Sequence, residues 1–282
     1  MVHPTQATAH ILKHSINHLN HAQLITLQVT FARSALAEIN THRAFSRNSA
    51  SSRAIPVKKM LDQVINNPFI PRKFSLAQKG MSTDSFIDYF KEPHSWEDVA
   101  NDWWLPARDA AVAAAERGLA LGLHKQDVNR VLEPFMMHTA IISATEWKNF
   151  FDQRLALNEN GNPLAYPPMY DAAAAMKEAI DNSTGTLVDP YAWHMPLIGF
   201  PGDEDLSEPQ KRAVSVARCA RVSYLSHEGV RDVEADLGLY ERLLEGKHLS
   251  PLEHVAQASP HGTANFKGWA QLRTRLEYKE KA

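Results

Sequence analysis

The sequence predicts one domain that contains both β-strands and α-helices. Apolar and β-branched residues alternate at 24–31, which is typical of a strand. An alanine-rich run at 106–123 has one polar face and instead predicts a helix. At 282 residues the chain is close to the largest size that one hydrophobic core supports. We therefore expect a single domain over residues 1–282, with two closely packed halves as the alternative.

Composition excludes several classes of function. Hydrophobic residues make up 44% of the chain, charged residues 22%, and the formal net charge is -2. Because non-specific nucleic-acid binding needs a basic surface, we expect no nucleic-acid partner. No apolar run approaches the ~20 residues of a membrane span, and the N-terminus lacks the basic start and apolar centre of a signal peptide. We expect no membrane association and a cytoplasmic location.

The N-terminal part is expected to form a helix at 9–19, the strand at 24–31 and a short helix at 34–41. Four histidines recur at spacings that would place them on one face of the first helix: His10, His14, His18 and His21. Such a stripe could bind zinc. Since no cysteine or acidic ligand stands nearby, we prefer a solvated or interface face and predict no metal.

The next helix is expected to begin at Pro56, because proline is favoured at a first helical position. Its apolar stripe comprises Val57, Met60, Leu61 and Val64, and it should end within 66–71. Residues 74–104 are irregular and rich in Gly, Ser, Asp and aromatic residues, which indicates a long functional or interface loop. Within this loop, Trp103 and Trp104 are interpreted as packing residues, with stacking on a ligand ring as the alternative.

Helices and one short strand are predicted in the middle of the chain. The helix at 106–123 is followed by another at 126–137 and by a β-branched strand or extended link at 139–143. A helix at 145–154 could begin with a cap at Thr145. The alanine-rich run at 169–180 predicts a further helix.

The chain changes character at 183–210, where prolines, glycines and acidic residues predict a surface connection. Two helices at 211–224 and 231–245 and a strand at 252–258 should follow. We expect the tail at 265–273 to pack near the functional site.

Cys219 is the only cysteine, so no internal disulfide is expected and a reducing compartment is favoured. It lies in the apolar run VARCARVSY. A nucleophilic role is possible in principle, but we predict that Cys219 is a small buried hydrophobic residue.

The most concentrated polar stretch is THRAFSRNSASSR at 41–53. It contains three arginines, four serines, an asparagine and a histidine. Burial of so many polar groups is costly unless something anionic meets them. We therefore expect this stretch to bind a phosphate.

The pattern HRxxSxNxxSxR in this stretch resembles the signature of the flavin-dependent thymidylate synthases. The residues in register with that signature are His42, Arg43, Ser46, Asn48, Ser51 and Arg53. Three further stretches resemble segments of the same family: ARVSY at 220–224, LYERLLEGKHLSPLEH at 239–254 and NFFDQR at 149–154. In most of the family ARVSY and SPxEH precede the signature, whereas here they follow it. The chain thus resembles a circularly permuted, bacteriophage-type member.

This resemblance implies an α+β fold, in which a twisted, mainly antiparallel sheet is flanked by helices, with 183–210 as the linker at the permutation junction. It implies an enzyme that converts dUMP to dTMP. Methylenetetrahydrofolate would be the carbon donor, reduced FAD the hydride donor and NADPH the reductant. It also implies a homotetramer with shared active sites and, for a phage protein, a location in the host cytoplasm.

The resemblance also assigns site residues. Those with catalytic roles are Arg154, Ser51 and His254. Arg154, at the end of NFFDQR, would activate uracil by stabilising charge on the ring edge. The residues that would bind substrate are Glu38, Ser51, Ser52, Arg53, Arg130 and Arg154, with Arg130 reaching a neighbouring subunit. The residues that would bind cofactor are Thr41, His42, Arg43, Ser49, Asn149, Ser223 and His254. A surface salt bridge is the alternative for Arg53 and Arg130, and a cap or core hydrogen bond for His254.

Several positions depart from the family pattern, including Ala50 in place of an aromatic residue and AYPPMY at 165–170 in place of a helix start. Thr41 stands where the first arginine of the Arg-His-Arg triplet is expected, Ser49 where a glutamate is expected and Glu38 where a glutamine is expected. The missing arginine removes a charge-assisted hydrogen bond of about 1.5 to 3 kcal/mol, for which Arg47 or Arg273 could compensate. Glu38 could accept a proton.

Two alternative functions follow from these departures. Water could trap the C5-methylene intermediate and give a 5-hydroxymethyl nucleotide for phage DNA, or the protein could be a catalytically silent nucleotide- or flavin-binding relative.

Overall fold

The computed structural model describes residues 5–80, 83, 85–87, 95–224 and 232–279. Within these residues, strands and helices form an α+β fold with two sheets, which confirms the predicted class. The strands are β1 (Thr8–Asn17), β2 (Gln23–Ala32), β3 (Ser46–Ser49), β4 (Met137–Ala144), β5 (Thr186–Val188), β6 (Trp193–His194), β7 (Ala256–Ala258) and β8 (Trp269–Gln271). The α-helices are α1 (Leu36–Ile39), α2 (Val57–Asn66), α3 (Trp96–Val99), α4 (Leu105–Ala120), α5 (Lys125–Val128), α6 (Lys148–Arg154), α7 (Pro167–Asp181), α8 (Glu208–Ala220), α9 (Val233–Glu245) and α10 (Leu272–Lys279).

The larger sheet has five strands in the order β3-β4-β2-β1-β5. All neighbouring strands are antiparallel except β1 and β5. The central pair is β2 and β4, whose apolar sequences suit burial on both faces. The short strand predicted at 139–143 is therefore a full-length central strand. β3 lies at one edge of the sheet.

The predicted helix at 9–19 is wrong, because these residues form β1. Histidines four residues apart lie on one face of a helix. In a regular strand they also lie on one face, because strand side chains alternate with a period of two. Pairing with β2 places His10 opposite Gln28 but His14 opposite Ile25, since a bulge interrupts the register between the two histidines. These two histidines therefore face opposite sides of the sheet, and those at 18 and 21 lie in the connection after β1. The predicted stripe does not form.

Both faces of the five-stranded sheet are covered. On one face the apolar residues of β2 and β4 pack against α7, where Met169 and Met176 are fully buried. Each such side chain contributes roughly 1.5–3 kcal/mol by leaving water. The other face packs against α8 in a cluster that contains Ile141 and Cys219, and against the smaller sheet in a cluster that contains Leu24 and Trp269. Phe45, which directly precedes β3, belongs to the first of these cores.

A separate group of helices packs beside the sheet. Met60, Leu61 and Val64 of α2 are buried against α4 and a 3₁₀-helix at Asn129–Phe135, so the predicted apolar stripe is confirmed. Pro56 is the residue that precedes α2 rather than its first residue. No helix of the described residues is long and apolar enough to cross a membrane.

The segment at 183–210 is more than the surface connection that its composition predicts. It adds β5 to the larger sheet and β6 to the smaller sheet, whose order is β6-β7-β8. Asp203 is 2% exposed and accepts from Nη1 and Nη2 of Arg218 at 2.7 Å, in a buried ion pair that ties the segment to α8. Prolines and glycines in this segment shape turns between buried contacts.

Several boundaries differ from the predictions. The helical run begins at Trp96 and continues through a π-helical turn at Ala100–Trp104 into α4, so the last part of the predicted loop at 74–104 is helical. Other parts of that loop lie outside the described residues. Trp104 packs as predicted, since its Nε1 donates to the carbonyl oxygen of Phe69 at 2.7 Å, whereas Trp103 is 59% exposed. Thr145 does not cap α6 but accepts from the backbone of Lys267.

The C-terminal elements largely follow the predictions. The predicted helix at 211–224 is α8 followed by a 3₁₀-helix at Arg221–Tyr224, and α9 matches the one predicted at 231–245. The strand predicted at 252–258 is half 3₁₀-helix, at Ser250–His254, and half β7. The tail packs against β3 as expected, because Gln271 donates from Nε2 to Oγ of Ser46 at 3.0 Å.

Candidate active site

The signature stretch surrounds β3, the edge strand of the five-stranded sheet. Phe45, just before the strand, is 3% exposed and packs against the rings of Trp147 and Phe150, each with centroids 4.9 Å away. Ser46, the first residue of β3, pairs with Ser143 of β4. An apolar anchor and a backbone ladder thus hold the polar residues of the stretch at the sheet edge.

Arg154, the last residue of α6, contacts three residues that precede β3. Its Nε donates to Nε2 of His42 at 3.0 Å, and its Nη1 donates to Oε2 of Glu38 at 3.2 Å. A longer contact joins its Nη2 to Oγ1 of Thr41 at 3.4 Å. We call these four residues the Arg154 cluster. It brings Arg154 together with residues that are at least 112 positions away in the chain.

Partial burial perturbs both titratable partners of Arg154. Burial raises the pKa of Glu38, and the charge of Arg154 opposes that rise. Burial lowers the pKa of His42, and the charges of Arg154 and Arg47 lower it further. His42 is therefore neutral at neutral pH and can accept the hydrogen bond from Arg154. The cluster stays open to a ligand, because the side chain of Glu38 is 33% exposed and that of Arg154 is 20% exposed.

Arg47 holds the loop that carries the cluster. Its Nη1 donates to the carbonyl oxygens of Ile39 at 3.2 Å and His42 at 3.0 Å. Arg47 therefore places a positive charge beside the position where Thr41 replaces the expected arginine. Arg273, the other candidate for that replacement, is instead paired with two carboxylates at 2.6 Å and 3.0 Å.

Three distant segments line a cleft of about 460 Å³ after β3. Ser51 and Arg53 come from the signature stretch, Ser223 from ARVSY and Ser250 from SPLEH. The backbone N–H of Ser51 donates to the carbonyl oxygen of Ser223 at 3.1 Å. Arg53 is exposed and forms no ion pair with any described residue. We call this space the signature cleft.

Asn48 of β3 links the walls of the signature cleft. Its Nδ2 donates to the carbonyl oxygen of Cys219 at 2.9 Å and lies 3.5 Å from Oγ of Ser223. Its Oδ1 accepts from Oγ of Ser250 at 3.4 Å. Because one amide contacts both ARVSY and SPLEH, an asparagine at this position of the signature has a direct structural role.

A chain of five buried side chains runs from β1 to the 3₁₀-helix of SPLEH. Its hydrogen bonds measure 2.9, 2.8, 2.6 and 2.8 Å, and they join in order Ser15, His194, Thr26, Ser143 and His254. Each of the five residues is 0% exposed. Since each hydroxyl carries one hydrogen, the proton positions on the two imidazoles depend on one another. We call these residues the buried chain.

His254 ends the buried chain at the level of β3. Its Nδ1 contacts Oγ of Ser143, which pairs through its backbone with Ser46. Burial lowers the pKa of His254 to about 3 and lowers that of His194 well below its usual value, so both rings are neutral. Nε2 of His254 has no hydrogen-bond partner among the described residues. The core hydrogen bond that we considered for this residue is therefore present.

Other predicted site residues lie outside the Arg154 cluster and the signature cleft. Arg43 is exposed, and Ser49 is half-buried at the end of β3. Asn149 lies on the solvent face of α6, where its Oδ1 accepts from Gln153 at 3.5 Å. Arg130 is exposed and lines a separate cleft of about 470 Å³. A single chain therefore does not place Asn149 or Arg130 beside the other predicted residues.

Sequence reasoning missed two residues of this region: one that supports the signature cleft from behind and one that lines it. Asn129 is 0% exposed, and its Nδ2 donates to the carbonyl oxygens of Ser52 at 2.6 Å and Ile55 at 2.9 Å. These bonds hold Ser52, which is 8% exposed, and the turn that carries Arg53. His248 lines the cleft itself. Its position just before SPLEH was the available signal, whereas nothing local distinguished Asn129.

Cys219 is buried, as predicted. It is a free cysteine with 0% exposure, and burial raises the pKa of its thiol. A protonated, enclosed thiol is a poor nucleophile. Within the described residues, His, Cys, Asp and Glu side chains form no group of three that could hold a metal ion.

Comparisons with known proteins give a partial structural likeness. No protein-family model matches the sequence, and no curated protein matches it. A UMP/dUMP methylase PolB from Streptomyces cacaoi, bound with 5-Br UMP, is similar over 62% of this chain and 89% of that one, with a TM-score of 0.46 and 14% identity. The same protein bound with 5-Br dUMP matches over 56% and 66%, with a TM-score of 0.41 and 15% identity.

Proposed function

We propose that the protein is a dUMP-modifying enzyme of the flavin-dependent thymidylate synthase type. One observation carries this proposal: the four stretches that resemble that family meet around β3. Arg154 of NFFDQR contacts His42 of the signature, and Ser51 contacts Ser223 of ARVSY. SPLEH contacts Asn48 from 202 positions away. If the four resemblances were due to chance, the four stretches would not be expected to meet at one strand.

The signature cleft would bind the phosphate of dUMP. Arg53 offers a guanidinium that no described carboxylate neutralises, and the hydroxyls of Ser51 and Ser223 line the same space. Ser52 would contribute from its buried position beside them. Hydrogen bonds from charged donors to phosphate are roughly twice as strong as neutral ones. The volume of about 460 Å³ also suits a small-molecule site.

Arg154 would contact the pyrimidine. Carbon C5 of uracil becomes nucleophilic when charge on the O4, N3 and O2 edge is stabilised, and a planar guanidinium can do this with paired donors. Glu38 and His42 already hold the guanidinium in one orientation. A guanidinium has five N–H donors, so donors remain for a ring edge after these contacts. Arg154 is our leading catalytic residue.

The proposal includes FAD, which would supply the hydride when bound, and methylenetetrahydrofolate and NADPH as co-substrates. Exposed Thr41 and Arg43 fit contacts to an anionic pyrophosphate, and Asn149 offers an exposed amide. His254 is fully enclosed in one chain, so it fits a positioning role through the buried chain better than a ring contact. Arg130 would complete the site from a second copy in a homotetramer.

The position of Glu38 favours a second possible reaction product. Its carboxylate lies 3.2 Å from Nη1 of Arg154, and burial raises its pKa. A carboxylate at this place could accept a proton from water, so that hydroxide adds to the methylene carbon on C5. The product would then be a 5-hydroxymethyl nucleotide, and no hydride would be needed.

The experiment is a product assay with purified protein, dUMP, methylenetetrahydrofolate, FAD and NADPH. Mass spectrometry distinguishes the methyl product from the hydroxymethyl product. Arg154→Ala should abolish turnover with unchanged melting temperature, because it removes the proposed uracil contact from an accessible cluster. Lys148→Gln is the matched control, since Lys148 lies on the same helix and, among the described residues, forms an ion pair only with exposed Asp152. Glu38→Gln should remove any hydroxymethyl product.

Three results would contradict the proposal. The first is a preparation that does not bind dUMP. The second is a reaction that yields neither the methyl nor the hydroxymethyl product. The third is an Arg154→Ala variant with normal turnover. A protein that binds dUMP or flavin but gives no product would instead be the catalytically silent relative.

A further inference from the structure

A further cleft, of about 650 Å³, lies between the smaller sheet and helices α8, α9 and α10. None of its lining residues belongs to the Arg154 cluster, the signature cleft or the buried chain. Arg212 of α8 and Arg275 of α10 border it, with their guanidinium carbons 4.4 Å and 5.5 Å from the centroid of the same Trp193 ring. The two charges can be no farther apart than the sum of these distances. We call this space the Arg-Trp cleft.

The two arginines are poorly neutralised. The carboxylate of Glu208 lies 3.7 Å from Arg212 and its side chain is 59% exposed, so this pair is weak. Arg275 forms no ion pair with any described residue. In contrast, Arg273 on the same helix pairs with two carboxylates, at 2.6 Å and 3.0 Å. Two neighbouring positive charges repel one another, and an anion between them would relieve that repulsion.

The Arg-Trp cleft also offers neutral hydrogen-bond donors. Oγ of Ser259 accepts from the backbone of His261 at 3.3 Å, and Oγ1 of Thr263 accepts from the backbone of Gln271 at 2.9 Å. Both hydroxyls therefore keep their own hydrogens for a ligand. Burial raises the pKa of Tyr240, which lines the same cleft, so its hydroxyl also remains a donor at neutral pH.

One wall of the cleft is apolar and includes Leu272 and Leu276. An inorganic ion would leave this wall unused, whereas a ligand with a ring would cover it. Guanidinium groups suit phosphoryl oxygens, which they can contact with two parallel N–H donors. We propose that the Arg-Trp cleft binds an organic phosphate of nucleotide size, with its phosphoryl groups between Arg212 and Arg275. This inference does not depend on the proposed function at β3.

Calorimetric titration with adenosine triphosphate tests the assignment. Arg275→Gln should weaken binding by about tenfold or more, because one charge-assisted contact is lost. Arg275 is exposed, so the melting temperature should not change. Arg117→Gln is the matched control and should bind like the unmodified protein, because Arg117 is an exposed arginine of α4 that does not line the Arg-Trp cleft. Arg53→Gln should also bind normally, which separates this cleft from the signature cleft.

Two further probes define the ligand class. Inorganic tripolyphosphate should bind more weakly than adenosine triphosphate, since it lacks a ring for the apolar wall. Citrate should bind more weakly still, since it offers carboxylates in place of phosphoryl groups. The assignment is overturned if adenosine triphosphate does not bind, if Arg275→Gln leaves its affinity unchanged, or if citrate binds as tightly. Loss of binding in Arg53→Gln but not in Arg275→Gln would move the phosphate site to the signature cleft.

Discussion

Replacing Thr26 by valine removes the middle hydroxyl of the buried chain while keeping the shape of the side chain. Oγ1 of Thr26 lies 2.6 Å from Oγ of Ser143 and 2.8 Å from Nε2 of His194. All three residues are 0% exposed, so water cannot take the place of the lost hydroxyl. Ser143 retains its bond to His254, but Nε2 of His194 is left without a partner.

The expected loss follows from these contacts. One orphaned buried group destabilises by about 1–3 kcal/mol, and one further lost hydrogen bond by about 1 kcal/mol. Thr26→Val should therefore lower the free energy of unfolding by about 2–4 kcal/mol. The same chain supplies a matched control in Thr30, also on β2, whose Oγ1 contacts Oγ1 of Thr139 at 3.0 Å. Both residues of that pair are partly exposed, so Thr30→Val should change the free energy by about 1 kcal/mol or less.

Urea unfolding followed by far-ultraviolet circular dichroism measures both variants. They should be compared at one protein concentration, because association would shift the apparent stability. Equal stabilities of Thr26→Val and Thr30→Val would refute the reasoning. That result would mean that the hydroxyls of the buried chain are exchanged for water or contribute nothing to folding.

Three further predictions concern the pH dependence of stability, the binding of dUMP by Arg53 and the role of Cys219. The free energy of unfolding should fall as the pH drops below about 6.5, because buried His138 and His254 stay neutral down to a pKa of about 3 while the unfolded residues take up protons. Each contributes a slope of up to about 1.4 kcal/mol per pH unit, and urea unfolding of His254→Gln should show a shallower dependence. Arg53→Gln should weaken dUMP binding by about 10- to 100-fold in calorimetry, whereas exposed Lys58→Gln should not, and equal affinities would remove Arg53 from the phosphate site. Cys219→Ala should retain the steady-state rate, and its inactivity in a folded variant would restore the nucleophile hypothesis.

Local sequence patterns predicted most elements whose period was unambiguous. The strand at 24–31, the alanine-rich helix at 106–123 and the helix at 169–180 all form, because their apolar spacing fits only one kind of element. The prediction for 9–19 was wrong for the opposite reason. A histidine spacing of four is compatible with both the helical and the strand period, and these residues form a strand because they pair with β2.

Composition was a poor guide where the chain is irregular but buried. The segment at 183–210 has the prolines and glycines of a surface connection, yet Trp193 and His194 are buried in β6. These two residues are buried because β6 pairs with β7 and His194 contacts Thr26, and no local sequence pattern predicts either contact. The same limit applies to Asn129, whose role depends on carbonyl groups more than seventy positions away.

The sequence by itself determined the candidate residues, because the spacing of the signature, NFFDQR, ARVSY and SPLEH can be recognised without coordinates. Only the tertiary structure decided which of them meet: Arg154 reaches Glu38 and His42, Arg53 shares a cleft with Ser223, and Asn149 faces solvent. The physical reason is that hydrogen bonds and burial depend on distance in space. Chain positions far apart acquire that proximity only when the sheet and its helices pack.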